Sequence, residues 1–257
     1  MRPSLLDFWN QAPLEDWGKA PAGAMRFQHP DDTISESHIQ LDVSSYETFV
    51  SALERGNMPR SNFHLHLLPQ PYFGDLEDAE ILILLANPGL SASDYFAEET
   101  CPEYRDELIG SLRQEKRSHM FLDPKWAWTS GFSWWERKFR SVAQCIATEH
   151  FDGHYGNALA DLARRVASVE LVPYHSFNFR SQNQLASVQA ARDFASTVAS
   201  DRKVIVTRSV TAWELPEADN FIKYKPEEAR SASLGLETCG GKAILEVYEN
   251  RPCIHTS

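Results

Sequence analysis

Two short stretches carry side chains of the kinds that handle water, protons and phosphate, each just beyond an apolar run. The first, Asn87-Pro88-Gly89-Leu90-Ser91, follows Ile81 to Ala86 and continues through Ser93 and Asp94. Pro88 fixes its own φ and keeps Asn87 out of helical geometry, while Gly89 lets the backbone turn sharply. Ser91, Ser93 or Asp94 can cap a following helix, so an ordinary strand-to-helix turn stands beside a ligand-binding loop as a reading. The second stretch, Tyr174-His175-Ser176-Phe177-Asn178, follows Val166 to Val172 and brings a phenol, an imidazole, a hydroxyl and an amide. An imidazole titrates near neutral pH, so His175 can pass a proton. A buried histidine bonded to backbone is the rival.

Trp126, Trp128, Phe132, Trp134 and Trp135 are dense enough to wall a planar ligand or to form a satellite core under a long loop. Arg137, Lys138 and Arg140 begin one turn later and can hold a phosphate; Arg113, Lys116, Arg117, Arg164 and Arg165 suit solvated helix faces. Arg208, or a helix N-terminus at Ser209, offers another phosphate contact. His64 and His66 alternate as on a strand but have no third ligand at metal spacing, so no metal is expected.

These residues need strands to carry them. Ile81 to Ala86 is apolar on both faces and of strand length, as in a parallel sheet covered on both sides. Val166 to Val172 and Lys203 to Thr207 repeat the form, and Asn220 to Tyr224 is a fourth, weaker strand. Helical patterns run over Pro102 to Arg113, Trp134 to Ala147, Gly156 to Arg165 and Gln184 to Val198, with another over Tyr46 to Arg55. The alternation predicts an α/β fold: a three-layer α/β/α sandwich around a central, mostly parallel sheet of about four strands. Leu67 to Gly74 reads as a proline-interrupted loop. Lys242 to Asn250, after Gly240-Gly241, reads as an extra edge strand. In open sheets of this kind ligands bind beyond the carboxyl ends of the strands, where both polar stretches lie.

Residues 1–60 are turn-rich and acidic, with Phe8, Trp9 and Trp17 as anchors, and read as an extension packed on a main domain spanning 61–257. The chain has 257 residues, a formal charge of −11 and 42% hydrophobic residues, within ordinary globular usage. The net charge argues against a DNA-coated protein, although a local basic strip can coexist with it. The four cysteines, Cys101, Cys145, Cys239 and Cys253, form no Cys-x-x-Cys pair, which leaves zinc ribbons and iron–sulfur clusters without ligands. There is neither a signal-peptide pattern nor a run near the roughly 20 apolar residues of a membrane span. A cytoplasmic protein in a reducing compartment, monomeric and off the membrane, is expected.

The stretch Ile81 to Ser93, ILILLANPGLSAS, resembles the first motif of the mismatch-specific uracil and thymine DNA glycosylases of the uracil-DNA glycosylase superfamily. In that family an apolar strand runs into an Asn-Pro-Gly-Leu-Ser-like loop; beyond it the likeness extends to the order of elements. The resemblance implies DNA as partner and no cofactor. It also implies that Asn87 positions the attacking water, with Pro88, Gly89 and Leu90 beside the extruded base. Cleavage of an N-glycosidic bond passes through a cationic sugar, for which an amide orienting one water suffices. Asp94 is the nearest acid that can supplement it, with helix capping as its alternative. The family reads the base edge from the end of its second core strand, usually with Asn. Here Tyr174, His175, Ser176 and Asn178 stand there, and His175 can also donate to a leaving base. Trp134 belongs to the aromatic walls that a flipped base needs. The family's last, duplex-wedging loop often reads His-Pro-Ser-Pro or Asn-Pro-Ser; at the matching place stand Arg230, Ser231, Ala232 and Ser233, with Arg208 as the alternative phosphate contact.

The expectation is therefore a monofunctional DNA glycosylase that leaves an abasic site. The departures at Tyr174 to Asn178 and the long segment Tyr95 to Asp161 suit a roomier pocket. A bulky or modified pyrimidine, such as the altered cytosines of phage DNA, thus stands beside uracil, and an antiviral role beside repair. A non-catalytic nucleotide or nucleic-acid binder of the same fold is the second class, suggested by the acidic charge, the missing His motif and Asn87 in place of an acid. An unrelated α/β hydrolase lacks its Gly-x-Ser-x-Gly elbow and any phosphate-cradling Gly-rich Lys loop.

Overall fold

A computed structural model describes residues 4–56, 58–198, 200–229 and 231–249. Five strands form one sheet: β1 (Tyr72–Phe73), β2 (Ile81–Leu85), β3 (Val166–Glu170), β4 (Lys203–Val206) and β5 (Phe221–Lys223). Their order is β1-β3-β2-β4-β5, with β1 antiparallel to β3 and every other pair parallel. Every residue of β2 and β3 is buried, so both faces of the sheet centre are covered, as the apolar run of β2 requires. The chain is an α/β protein with a mostly parallel, mixed sheet.

The helices are α1 (Leu5–Trp9), α2 (Leu14–Lys19), α3 (Tyr46–Arg55), α4 (Ala92–Thr100), α5 (Pro102–Leu112), α6 (Ser130–His150), α7 (Tyr155–Arg165), α8 (Ala186–Ser196), α9 (Pro226–Ala229) and α10 (Cys239–Glu249). Leu5, Trp9, Trp17 and Phe27 of the N-terminal extension are buried in the same apolar cluster as the central strands. Buried Arg105 ties the extension down, donating to the Trp17 and Ala20 carbonyls while paired with buried Glu98 at 2.8 Å. Among the described residues no helix is long and apolar enough to cross a membrane.

Two expectations need correction. The loop expected from Leu67 to Gly74 contains β1, an edge strand continued by the Glu170 N–H donating to the Pro71 carbonyl at 2.9 Å. Proline cannot donate to a ladder, which keeps this strand short and at an edge. The segment expected as an edge strand, Lys242 to Asn250, is helical through Glu249, and Asn250 lies outside the described residues. Gly240, Ile244 and Tyr248 are buried at helical spacing. The glycine pair permits close approach rather than a turn: a Cβ on Gly240 would stand 2.9 Å from Ile205 Cγ2, and one on Gly241 would stand 2.0 Å from the Gly235 carbonyl oxygen.

The chain passes from β2 to β3 on one side, then returns to β4 on the other. Successive connections therefore diverge beyond the carboxyl ends of these strands. A crevice there is a natural ligand site.

Candidate functional site

A cavity of about 410 Å³ occupies that crevice. Its walls come from Leu85 to Ser91 after β2, from Glu170 at the end of β3, from Arg208 and Ser209 after β4, and from the first turns of α6. The volume lies within the range of about 300–1,000 Å³ typical of small-molecule pockets. Phe73, Phe121, Trp134, Trp135, Phe177 and Phe179 supply apolar, largely aromatic walls. Gly131 seats α6 against this lining, since a Cβ there would stand 2.5 Å from the Phe121 ring.

The loop after β2 turns at Gly89, whose φ of +76° an L side chain rarely adopts. Asn87 is half-buried in the cavity wall, and its Nδ2 donates to the Ser176 carbonyl at 2.9 Å and to Ser176 Oγ at 3.2 Å. A carbonyl only accepts, so this contact fixes which end of the amide is which. Oδ1 is left with no hydrogen bond among the described residues, available to a water. Ser176 Oγ in turn donates to the Asn178 carbonyl at 3.0 Å. Ser176 is thus buried behind Asn87 as its support, while exposed Asn178 reaches the cavity rim.

Ser91 and Asp94 form a capping box at the start of α4. Asp94 Oδ2 accepts from the Ser91 N–H at 2.6 Å, and Oδ1 accepts from Ser130 Oγ at 3.3 Å. Ser93 Oγ accepts from the Ser130 N–H at 3.0 Å, joining the first turns of α4 and α6 on one side of the cavity. Asp94 therefore lines the cavity with both oxygens engaged, as the capping alternative requires.

His175 lies outside the cavity wall, buried beneath the loop. Its Nδ1–H donates to the Gly89 carbonyl at 2.9 Å, which fixes the neutral tautomer. Burial lowers its pKa, opposed by Asp94 and by the Gly89 and Leu68 carbonyls. The expected proton donor thus stands off the cavity wall, with its ring against the Gly89 carbonyl. Tyr174 also departs from expectation: it turns away from the cavity, with its hydroxyl donating to Asp32 Oδ2 at 2.5 Å and accepting from the His29 N–H at 3.1 Å. Both differences have one cause: beyond β3 the chain bends behind the Asn87 loop, and the small side chain of Ser176 is the one that meets Asn87.

The structure thus brings Asn87, Pro88, Gly89, Leu90, Asp94, Trp134, Asn178 and Arg208 to one cavity. Ser231, Ala232 and Ser233 stand off its wall, and Arg230 lies outside the described residues. That loop is linked to the cavity through Lys138, which donates to the Ser231 carbonyl and stands 5.1 Å from the centroid of the Trp134 ring. Ala232 holds a φ of +45° and Ser209 one of +51°, both left-handed positions costly for residues with a Cβ. Burial, with Arg208 and Arg137 close by, lowers the Lys138 pKa, and of these three cations Arg208 lines the cavity. His64 and His66 make no common site: His64 Nδ1 bonds the Tyr95 hydroxyl at 2.9 Å, whereas His66 Nδ1 donates to the Met25 carbonyl at 3.1 Å.

One wall residue was not anticipated. Glu170 is buried at the end of β3, and its Oε2 has no hydrogen-bond partner among the described residues. Burial pushes this carboxyl well above the usual carboxylate range, and Arg208 pulls it partly back. The signal available in sequence was a lone acid closing the largely apolar stretch Val166 to Val169. Compared with protein-family models, curated proteins and solved structures, the chain matches none.

Proposed function

We propose that this chain is a monofunctional DNA glycosylase, which takes a flipped base into the cavity and hydrolyses its bond to deoxyribose. The observation that carries the reading is Asn87: its amide nitrogen is held by Ser176, and its oxygen is left to orient a water at the rim of an aromatic-walled cavity. The likeness of Ile81 to Ser93 to the glycosylase motif points the same way. So does the gathering of Arg137, Lys138 and Arg208 on a chain of net charge −11, since a phosphate backbone needs a local cationic strip. The free thiols of Cys101, Cys145 and Cys239 fit a reducing, cytoplasmic setting. The base is a pyrimidine, either uracil or a larger modified one, for which the cavity has room.

A second reading, a non-catalytic nucleic-acid binder, draws on Asp94, whose oxygens cap α4 and meet Ser130 rather than supporting a water. One experiment separates the two. Purified protein and Asn87→Ala are incubated with duplexes carrying uracil, mismatched or modified bases, and abasic product is measured. The glycosylase reading expects unchanged circular dichroism and a loss of product of at least about 100-fold in the variant. No product from the parent protein on any duplex, with DNA binding that survives Asn87→Ala, refutes it in favour of the binder.

A further inference from the structure

Glu170 is buried at the end of β3, with Oε2 lacking a hydrogen-bond partner among the described residues. It closes β3 level with Leu85 of β2, two residues short of Asn87, and so stands at the cavity floor while Asn87 stands at its rim. Phe73, Phe121 and Trp135 share the same lining. A buried carboxyl oxygen without a partner costs free energy unless something else supplies the hydrogen bond, and here the open side is the cavity. Held in its protonated form, the carboxyl offers a donor and an acceptor side by side. That pair matches a planar base edge with one acceptor next to one donor.

Both pyrimidine types present such an edge, with opposite polarity: N3 and the N4 amino group in cytosine, O4 and N3–H in uracil. They differ in what the proton can do. N3 of a 4-aminopyrimidine is basic enough to take it, whereas O4 of a 4-oxopyrimidine is not. The 4-oxo base can depart as a stabilised anion, but the 4-amino base is a poor leaving group unless protonated. An acid in this position is therefore of use chiefly to the second kind.

Resting on the glycosylase reading, we propose that Glu170 donates its proton to N3 of a cytosine-type base, so that the chain releases 4-aminopyrimidines rather than uracil. The Glu170 O–H bond breaks as N3–H forms. The C1′–N1 bond breaks with its electron pair on the base, which leaves neutral. The water on Asn87 adds to the sugar cation and gives its proton to solvent, from which Glu170 is reprotonated. Arg208, close enough to lower the carboxyl's pKa, stabilises the carboxylate in the interval. The cavity exceeds one pyrimidine ring, and its remaining space takes a substituent at C5.

The test uses the full chain and oligonucleotide duplexes carrying one cytosine, 5-hydroxymethylcytosine, uracil or 5-hydroxymethyluracil, with released bases identified by mass spectrometry. A 4-amino base is expected to leave at least about tenfold faster than its 4-oxo counterpart. Glu170→Gln keeps the hydrogen-bonding shape but lacks the acid, so its single-turnover rate on the 4-amino base falls by about 100-fold or more while DNA affinity is retained. Preferred release of 4-oxo bases, or an undiminished rate in Glu170→Gln, overturns the Glu170 assignment and leaves the glycosylase reading standing. Release of no base at all overturns the glycosylase reading itself. Calorimetric titration with free cytosine and free uracil then decides the edge: tighter binding of cytosine supports the assignment, and binding of neither, or of uracil alone, overturns it.

Discussion

Replacing Glu170 by methionine should make the protein more stable, and increasingly so as pH rises. An unsatisfied buried acceptor such as Glu170 Oε2 costs about 1–3 kcal/mol. Methionine is unbranched, of similar length, and packs against the aromatic lining without a polar atom to satisfy. Relief of that cost corresponds to a rise in Tm of roughly 2–10 °C for a chain of this size. The pH dependence follows from the raised pKa of the folded state. Between the unfolded value near 4.5 and the higher folded value, the native protein binds more protons than the unfolded chain. The contribution of Glu170 is therefore full below pH 4.5 and is lost as pH climbs toward the folded value, at up to about 1.4 kcal/mol per pH unit. Methionine has nothing to lose, so the gap between variant and parent widens with pH. Urea unfolding followed by tryptophan fluorescence at pH 5, 6, 7 and 8 measures it directly. A gap that stays constant across this range, or a variant less stable at pH 8, would show that the carboxyl is partnered and ionised, and the reasoning would fail.

Tyr174→Phe should cost about 2–3 kcal/mol, because it strips a hydrogen bond from buried Asp32 and one from the His29 N–H. Base release should be unaffected, since the ring faces away from the cavity; a fall in release with stability intact would return Tyr174 to the site. Acid should unfold the parent protein early: burial lowers His64 and His119 from 6.5 to about 3. Both rings stay neutral in the native state while the unfolded chain takes up protons, so stability is full above pH 6.5 and falls on the way to pH 3. Each ring contributes a slope of about 1.4 kcal/mol per pH unit. His119→Phe should flatten the profile, and an unchanged one would mean that His119 is protonated in the native protein.

The central strands were legible because burial on both faces demands largely apolar runs: Ile81 to Leu85 and Val204 to Val206 are continuous, and Val166 to Val169 is broken only by Ser168. What the runs could not convey was direction beyond their ends. Tyr174, His175 and Ser176 sit on one short segment, yet Tyr174 turns to the extension, His175 to the Gly89 carbonyl and Ser176 to Asn87. Those choices depend on neighbours far away in the chain. Glu170 was overlooked for the opposite reason: an acid at a strand end ordinarily marks solvent, and only the aromatic cover makes this one different. The basic clusters resolved by pairing. Arg117 meets Asp75 and Glu77, Arg165 meets Asp161 and Glu80, and Arg140 meets Glu136, whereas Lys138, near Arg137 and Arg208, donates to the Ser231 carbonyl. Gly240-Gly241 misled because glycine permits both a turn and a close helix contact, and only the packing distinguishes them.

The crossing from β3 over β2 to β4 has a consequence for when this protein becomes itself. The cavity takes one wall from Asn87, one from Glu170 and one from Arg208, so no nascent chain that ends before Ser209 can contain it. The beginning of the chain waits as well, because Asp32 Oδ1 accepts from the Ser187 N–H at 2.9 Å and α1 packs on α8. Parallel pairing of this kind is non-local and forms late, leaving the apolar β2 unpaired during much of synthesis. Whatever the cavity does, it does only once synthesis has passed Ser209, and the interval before that is when aggregation competes with folding.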